Sequence, residues 1–438
     1  MFELKRIIDN LDLVQLSKEM YQLMTELYPI CRSITGDGVR KSLRIIGKII
    51  PIDVQEVLSG TEVFDWTIPK EWNISDAYFK DSEGEKIVDF NKSNLHVLNY
   101  SVPIKRSLPL TELKPHLFSI PEHPEWIPYR TSYYKENWGF CISHNQLNQL
   151  KDEVYEVCID SSLKDGHLTY GEFVIKGQTE DEILISTHVC HPSLCNDNLS
   201  GNVVSAILAG LLEPLSLRYT YRFLFIPGTI GSITWLCLNE SKVSNIKHGL
   251  VAVCLGDSGS FTYKRTRRGD AEIDHVVTHV LKEAGQKFDV IDFFPFGYDE
   301  RQYCSPGFDL SVGCLMRTPH GQFPEYHTSA DNLDFVKSEN LGVSLSLYLN
   351  VLDMLENNIK FLNTHPKCEP QLGKRGLYGK IGGNYDSHSF QLAMLWVLNQ
   401  SDGLNSLLDI CKKSNMSFDL IRNAAHALTN KNLLRKAD

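Results

Sequence analysis

The stretch STHVCHPSLCNDNLSG, Ser186 to Gly201, sets two histidines, two cysteines and an aspartate inside sixteen residues. Imidazole nitrogen and carboxylate oxygen are the donors that suit zinc in catalytic sites, where one coordination position is kept for water. His188 follows the apolar run EILIST at once, and Asp197 stands just before a helical pattern whose start is marked by Asn198 and Ser200. Farther on, VAVCLGD ends an apolar run on Asp257, and PEYHTSADNLDF supplies His327 in a polar loop. His188, Asp197, Asp257 and His327 are therefore the expected metal ligands. Plainer readings stand beside this one. A lone histidine at a strand end is commonly a satisfied structural residue. Cys190 and Cys195 with His188 and His191 would suit a structural zinc knot, but no second cysteine pair of suitable spacing appears. GDSGS, residues 256–260, looks like the nucleophile motif of trypsin-like serine proteases, which are all-β proteins, whereas the pattern around it alternates strand and helix.

That alternation is what must position the donors. From about Gly166, EILIST, YRFLFIP, GLVAVCLG and DLSVGCLM read as strands, and LSGNVVSAILAGLLEPL, SITWLCLNE and AEIDHVVTHVLKEAG as helices. Such a series predicts an α/β sheet covered on both faces, with its working crevice beyond the carboxyl ends of the strands. Residues 13–30 carry a helical period, and a second helical run is stopped by Pro51. Between Trp66 and Asp160 the texture changes to prolines, aromatics and short alternating runs such as NLHVLNYSVPI, which predicts an inserted β-rich domain. The expected division is an α/β domain over 1–65 and 161–373, the β-rich insert over 66–160, and a third unit over 374–438. That last unit holds three short helical patterns with a turn at SNMS, which predicts a winged helix or helix-turn-helix.

At 438 residues the chain exceeds a single core. With 42% hydrophobic and 22% charged residues its composition is that of an ordinary soluble globular protein. The net charge of −10 opposes broad binding to nucleic acid or anionic membranes. No apolar window of membrane-spanning length and no signal peptide are apparent, and eleven scattered cysteines fit reduced thiols, so a cytoplasmic location is expected. Lys412, Lys413, Arg422, Lys431 and Arg435 give the C-terminal unit only a weak basic excess, which favours a protein-contact module over a DNA reader. A homo-oligomer is left open.

Taken in order, STHVCHPSLCNDNLSG, IPGTIGS, GDSGS, GYDERQYCSPGFDL and PEYHTSADNLDF resemble the aminopeptidase-like proteins of the co-catalytic zinc exopeptidase superfamily, in the branch with an inserted β domain and a C-terminal winged helix. The resemblance spans nearly the whole chain and implies a three-layer α/β/α sheet. It also implies a zinc site in which a first His, a bridging Asp, a Glu pair, a second Asp and a last His hold two ions. The matching positions are His188, Asp197, Asp257 and His327. Where the family's Glu pair stands before Ile-Gly-Ser, this chain has Gly228 and Thr229, and the Asp expected two residues after the first His is Cys190. Glycine can neither accept a proton nor bind zinc through a side chain. By motif order the nearest substitute carboxylates are Asp299 and Glu300 in GYDERQ, and Glu300 is taken as the expected catalytic base.

For the substrate, EWIPYRTSYYKENWGF concentrates Arg130, Tyr133 and Trp138, and Arg301 follows Glu300. Aromatics suit apolar or sugar faces and arginine suits a carboxylate. Two functions follow from the residues: a zinc-dependent hydrolase of peptide or related amide bonds, or an inactive protein that keeps the peptidase fold to bind a ligand.

Overall fold

The computed structural model describes residues 3–377 and 387–437. The chain forms two compact units, one of residues 10–278 with 286–348, the other of residues 1–9, 279–285 and 349–438.

The larger unit is built on an eight-stranded mixed sheet in the order Asp53–Leu58, His167–Ile175, Thr220–Ile226, Glu182–His188, Ile246–Ala252, Val312–Met316, Phe261–Lys264, Phe288–Ile291. Glu182–His188 lies parallel to both of its neighbours, and Ile246–Ala252 runs parallel to Val312–Met316. Every residue of Glu182–His188 and of Thr220–Ile226 is buried. This explains the unbroken apolar runs, because a parallel strand covered on both faces has no polar face to alternate with. Helix Ser200–Leu212 is buried along almost its whole length, and its mixed apolar surface shows no amphipathic stripe for the same reason. Its first turn is pressed against the sheet. A Cβ at Gly201 would stand 2.2 Å from the Ala252 carbonyl oxygen, so only glycine fits there.

A four-stranded antiparallel sheet, Lys86–Asp89, Glu71–Lys80, Val154–Lys164 and Ile104–Pro109, takes up much of the β-rich stretch, its third-named strand running four residues past the expected end at 160, and shares a hydrophobic cluster with the main sheet through Trp72, Phe79 and Tyr155. Arg40, from helix Asp37–Ile46, donates to both carboxylate oxygens of Glu71 at 2.8 and 2.7 Å, tying that sheet to the helix.

The smaller unit carries helices Ser387–Gln400, Leu407–Ser414 and Phe418–Thr429 and a three-stranded sheet, Asp402–Ser406, Lys360–Asn363, Leu434–Lys436. The three expected helices are present, and the middle strand of the sheet lies upstream of residue 374. Ser406 caps the second helix through a reciprocal bond with Asp409, and Ser417 caps the third. No helix among the described residues is long and apolar enough to cross a membrane. None of the eleven cysteines forms a disulfide.

Candidate functional site

The site lies where the parallel strands end. His188 is the last residue of its strand and is 2% exposed. Its Nε2 stands 3.0 Å from Asp197 Oδ1, and His327 Nε2 stands 2.9 Å from Asp197 Oδ2. One fully buried carboxylate is thus shared by two imidazoles, one on each oxygen. Burial, the largest influence on Asp197, would raise its pKa, but His191, His188 and His327 outweigh it and hold the carboxyl well below the usual range. His191 is the third imidazole. Donor atoms of His188, His191 and Asp197 all lie within 4.8 Å of one another. The His191 Nδ1 is buried without a partner among the described residues, and burial keeps the ring neutral, well below the ordinary histidine pKa, although Asp197 opposes this.

The loop bearing Asp197 is held by its neighbours' side chains. Asp331 accepts from the backbone N–H of Asn196 at 2.6 Å and of Asp197 at 2.9 Å. Asn198 Nδ2 donates to Thr187 Oγ1 and to the Ala252 carbonyl, and its Oδ1 accepts from the N–H groups of Gly201 and Cys254. Arg32, itself 1% exposed, donates from Nε to the carbonyl of His191 at 2.7 Å. Aromatic rings enclose the cluster: Tyr298 stacks on His188 and donates to Asp197 Oδ1 at 3.2 Å, Tyr326 stacks on His327, and Tyr129 stands edge-on to both His191 and His327. Tyr129 arrives from the β-rich stretch because Ile127 and Tyr129 exchange backbone bonds with Ser329 and His327.

A cavity of about 150 Å³ opens here, lined by His188, His191, Gly228, Tyr298, Asp299 and His320 among others. A larger cavity, about 680 Å³, lies among Leu392, Trp396, Ser401 and Asp402 of the smaller unit, but no histidine lines it. The chemistry selects the smaller one.

Three of the four expected ligands, His188, Asp197 and His327, come together. Asp257 does not: its Oδ1 accepts from Gly259 N and Thr318 Oγ1, both at 2.6 Å, and its Oδ2 from Asn196 Nδ2 at 2.9 Å, so it staples loops instead of facing the imidazoles. Two residues beyond strand Ile246–Ala252, Cys254 has its Sγ 3.3 Å from the Tyr298 hydroxyl. Glu300 also departs from its expected role, because its Oε1 forms a buried ion pair with Lys264 Nζ at 2.8 Å and it does not line the cavity. Asp299 does line it. Burial, reinforced by Glu300, pushes the Asp299 carboxyl up to about 6 against the pull of His188, Ser232 and Arg301.

Of the expected substrate residues, Arg130 is exposed and Trp138 stacks on His116, so neither lines the cavity. Tyr133 stands one residue back, its hydroxyl 2.8 Å from that of Tyr129. Arg301 lies over Phe296, a cavity residue, with its Nε buried and without a partner among the described residues. Tyr298 and Asp331 have no mark in the sequence, because a loop residue's partner leaves no periodic trace, whereas His191, for which the sequence favours a loop hydrogen bond, stands with the cluster. The one available signal was the second histidine of STHVCH.

A family model described as "Domain of unknown function (DUF4910)" matches residues 21–358, and one described as "winged helix-turn-helix" matches residues 360–436. A "Putative polysaccharide biosynthesis protein with aminopeptidase-like domain" from Clostridium acetobutylicum is 56% identical over 435 residues, 99% of this chain and 100% of the relative. The crystal structure of a putative peptidase from that organism matches with a TM-score of 0.94 at 55% identity, covering 99% of each chain. A zinc aminopeptidase from Bacillus subtilis shares the fold at TM-score 0.56 and 13% identity, over 77% of this chain and 95% of that one. The chain belongs to the DUF4910 family, an aminopeptidase-like fold followed by a C-terminal winged-helix domain.

Proposed function

We propose that the protein is a metal-dependent hydrolase of amide bonds, peptide or peptide-like, with zinc as the cation. The observation that carries this is the Asp197 carboxylate shared between His188 and His327, with a neutral His191 beside it whose Nδ1 has no partner among the described residues. The donor set fits: imidazole nitrogens beside a carboxylate, with His191 held neutral and Asp197 held ionised, suit a divalent cation. His188, His191 and Asp197 would hold the ion, with His327 on the far carboxylate oxygen. Bound there, zinc supplies Lewis acidity toward a carbonyl and lowers the pKa of water. The chain's own residues orient and enclose the substrate. Tyr129, Tyr298 and Tyr326 enclose the imidazoles, and Phe296 lines the cavity with Arg301 over its ring. The relative's association with polysaccharide biosynthesis adds N-acyl amino sugars to peptides as amides to test.

The test is elemental analysis of zinc per chain in wild type and in a His188→Ala, His327→Ala double variant, together with a panel of aminoacyl amides, peptides and N-acyl amino sugars. Metal lost from the variant and product released by wild type support the proposal, and unchanged metal in the variant removes the site. Gly228 and Thr229, which bring no carboxylate, favour the ligand-binding alternative. Metal binding without any turnover would select it.

A further inference from the structure

At Gly228 the chain lacks the side chain that the fold's chemistry calls for, and the structure shows what stands in the space. A Cβ built on Gly228 lies 3.2 Å from His188 Cβ and 3.7 Å from Asp299 Oδ1. The Asp299 carboxylate therefore sits within contact distance of the missing side chain's first atom, beside the first imidazole. It is anchored on one side only: Ser232 Oγ, in the first turn of helix Ile230–Leu238, donates to Oδ1 at 2.9 Å, while Oδ2 is buried with no partner among the described residues. Asp299 is 1% exposed and lines the cavity that His188 and His191 line. Its neighbour Glu300 also has a spare oxygen, but is neutralised by Lys264 and lies off the cavity.

We infer that Asp299 is the proton acceptor of this site, supplied from the loop before helix Glu300–Tyr303 in place of a carboxylate at position 228. The inference rests on the amide-hydrolase reading above. In the step assigned to it, a water oxygen bonds to the amide carbonyl carbon and one water proton passes to Asp299. The C–N bond then breaks, and Asp299 returns that proton to the leaving nitrogen, so water and amide become acid and amine.

The test uses zinc-loaded full-length protein and Asp299→Asn, which keeps the side chain's shape. General acid–base groups are worth about 10²- to 10⁴-fold, so kcat should fall at least about 100-fold while zinc per chain stays unchanged. A second readout needs no turnover. Acetohydroxamic acid binding is followed by calorimetry in buffers of different ionisation enthalpy: wild type should keep the ligand's proton on Asp299 and release none, whereas Asp299→Asn should release one proton per molecule bound. Should Asp299→Asn fail to fold, Gly228→Glu in an Asp299→Gly background returns a carboxylate from the other side and should exceed Asp299→Gly alone at least about tenfold in kcat. An active wild type whose Asp299→Asn variant matches it in kcat or in proton count overturns the inference alone. A wild type that cleaves no amide and binds no hydroxamate overturns the hydrolase reading with it.

Discussion

At the scale of single residues, the histidines were legible and the carboxylates only partly so. His188, Asp197 and His327 carry local marks, a strand end, a helix start and a polar loop before a helix, and these fix their position relative to the sheet. Asp257 looked equivalent because it also follows an apolar run. However, strand Ile246–Ala252 ends well before it, and the extra residues carry its carboxylate onto Gly259 and Thr318. Asp331 bore no mark at all, yet its two oxygens hold the N–H groups of Asn196 and Asp197. Asp331→Asn puts an amide NH₂ against one of those donors and should weaken zinc binding about 10- to 100-fold, as removal of an outer partner does. Competition against a chelator of known affinity measures this, and an unchanged zinc affinity would contradict the positioning assigned to Asp331.

At the scale of elements, alternation of strand and helix was readable from hydrophobic period, whereas strand order was not. Nothing local says that Glu182–His188 lies between Thr220–Ile226 and Ile246–Ala252, because pairing is decided by which faces the helices cover. The anchoring of strand Glu71–Lys80 was equally invisible, since Arg40 and Glu71 are distant in sequence. The Arg40 hydrogen bonds, helped by the His167 N–H and Asn73 and opposed by burial, bring Glu71 down to about 2 from its ordinary 4.5. A depressed carboxyl contributes stability that is fully present above its unfolded value and is lost as pH falls through its folded one. Between pH 4.5 and 2, wild type should therefore lose on the order of 1–2 kcal/mol more than Glu71→Gln, after discounting for solvent around the pair. Urea unfolding at stepped pH would show it, and parallel curves for the two proteins would exclude it.

For the molecule as a whole, composition and punctuation located a separate C-terminal unit, but not how its charges are used. Of the five basic residues singled out in the sequence, Arg422 is 1% exposed and committed to Asp353 and Asp419, both at 2.6 Å, and Lys413 donates to Gln400 and Asn405. The net charge of −10 over the whole chain opposes a phosphate backbone. Titrating the protein into a labelled duplex at 0.15 M salt should give nothing tighter than the roughly 10⁻⁶ M of non-specific contact. Saturable nanomolar binding, by fluorescence anisotropy, would make the winged helix a DNA reader instead.

The three-stranded sheet of that unit has a practical corollary for anyone cutting the chain. Lys360–Asn363 is hydrogen-bonded on one side to Asp402–Ser406 and on the other to Leu434–Lys436. A stop codon after residue 373 would strip both flanks from that ribbon and leave two bare edges, an invitation to intermolecular pairing. Such a fragment should precipitate on expression, and its inactivity would reveal nothing about catalysis.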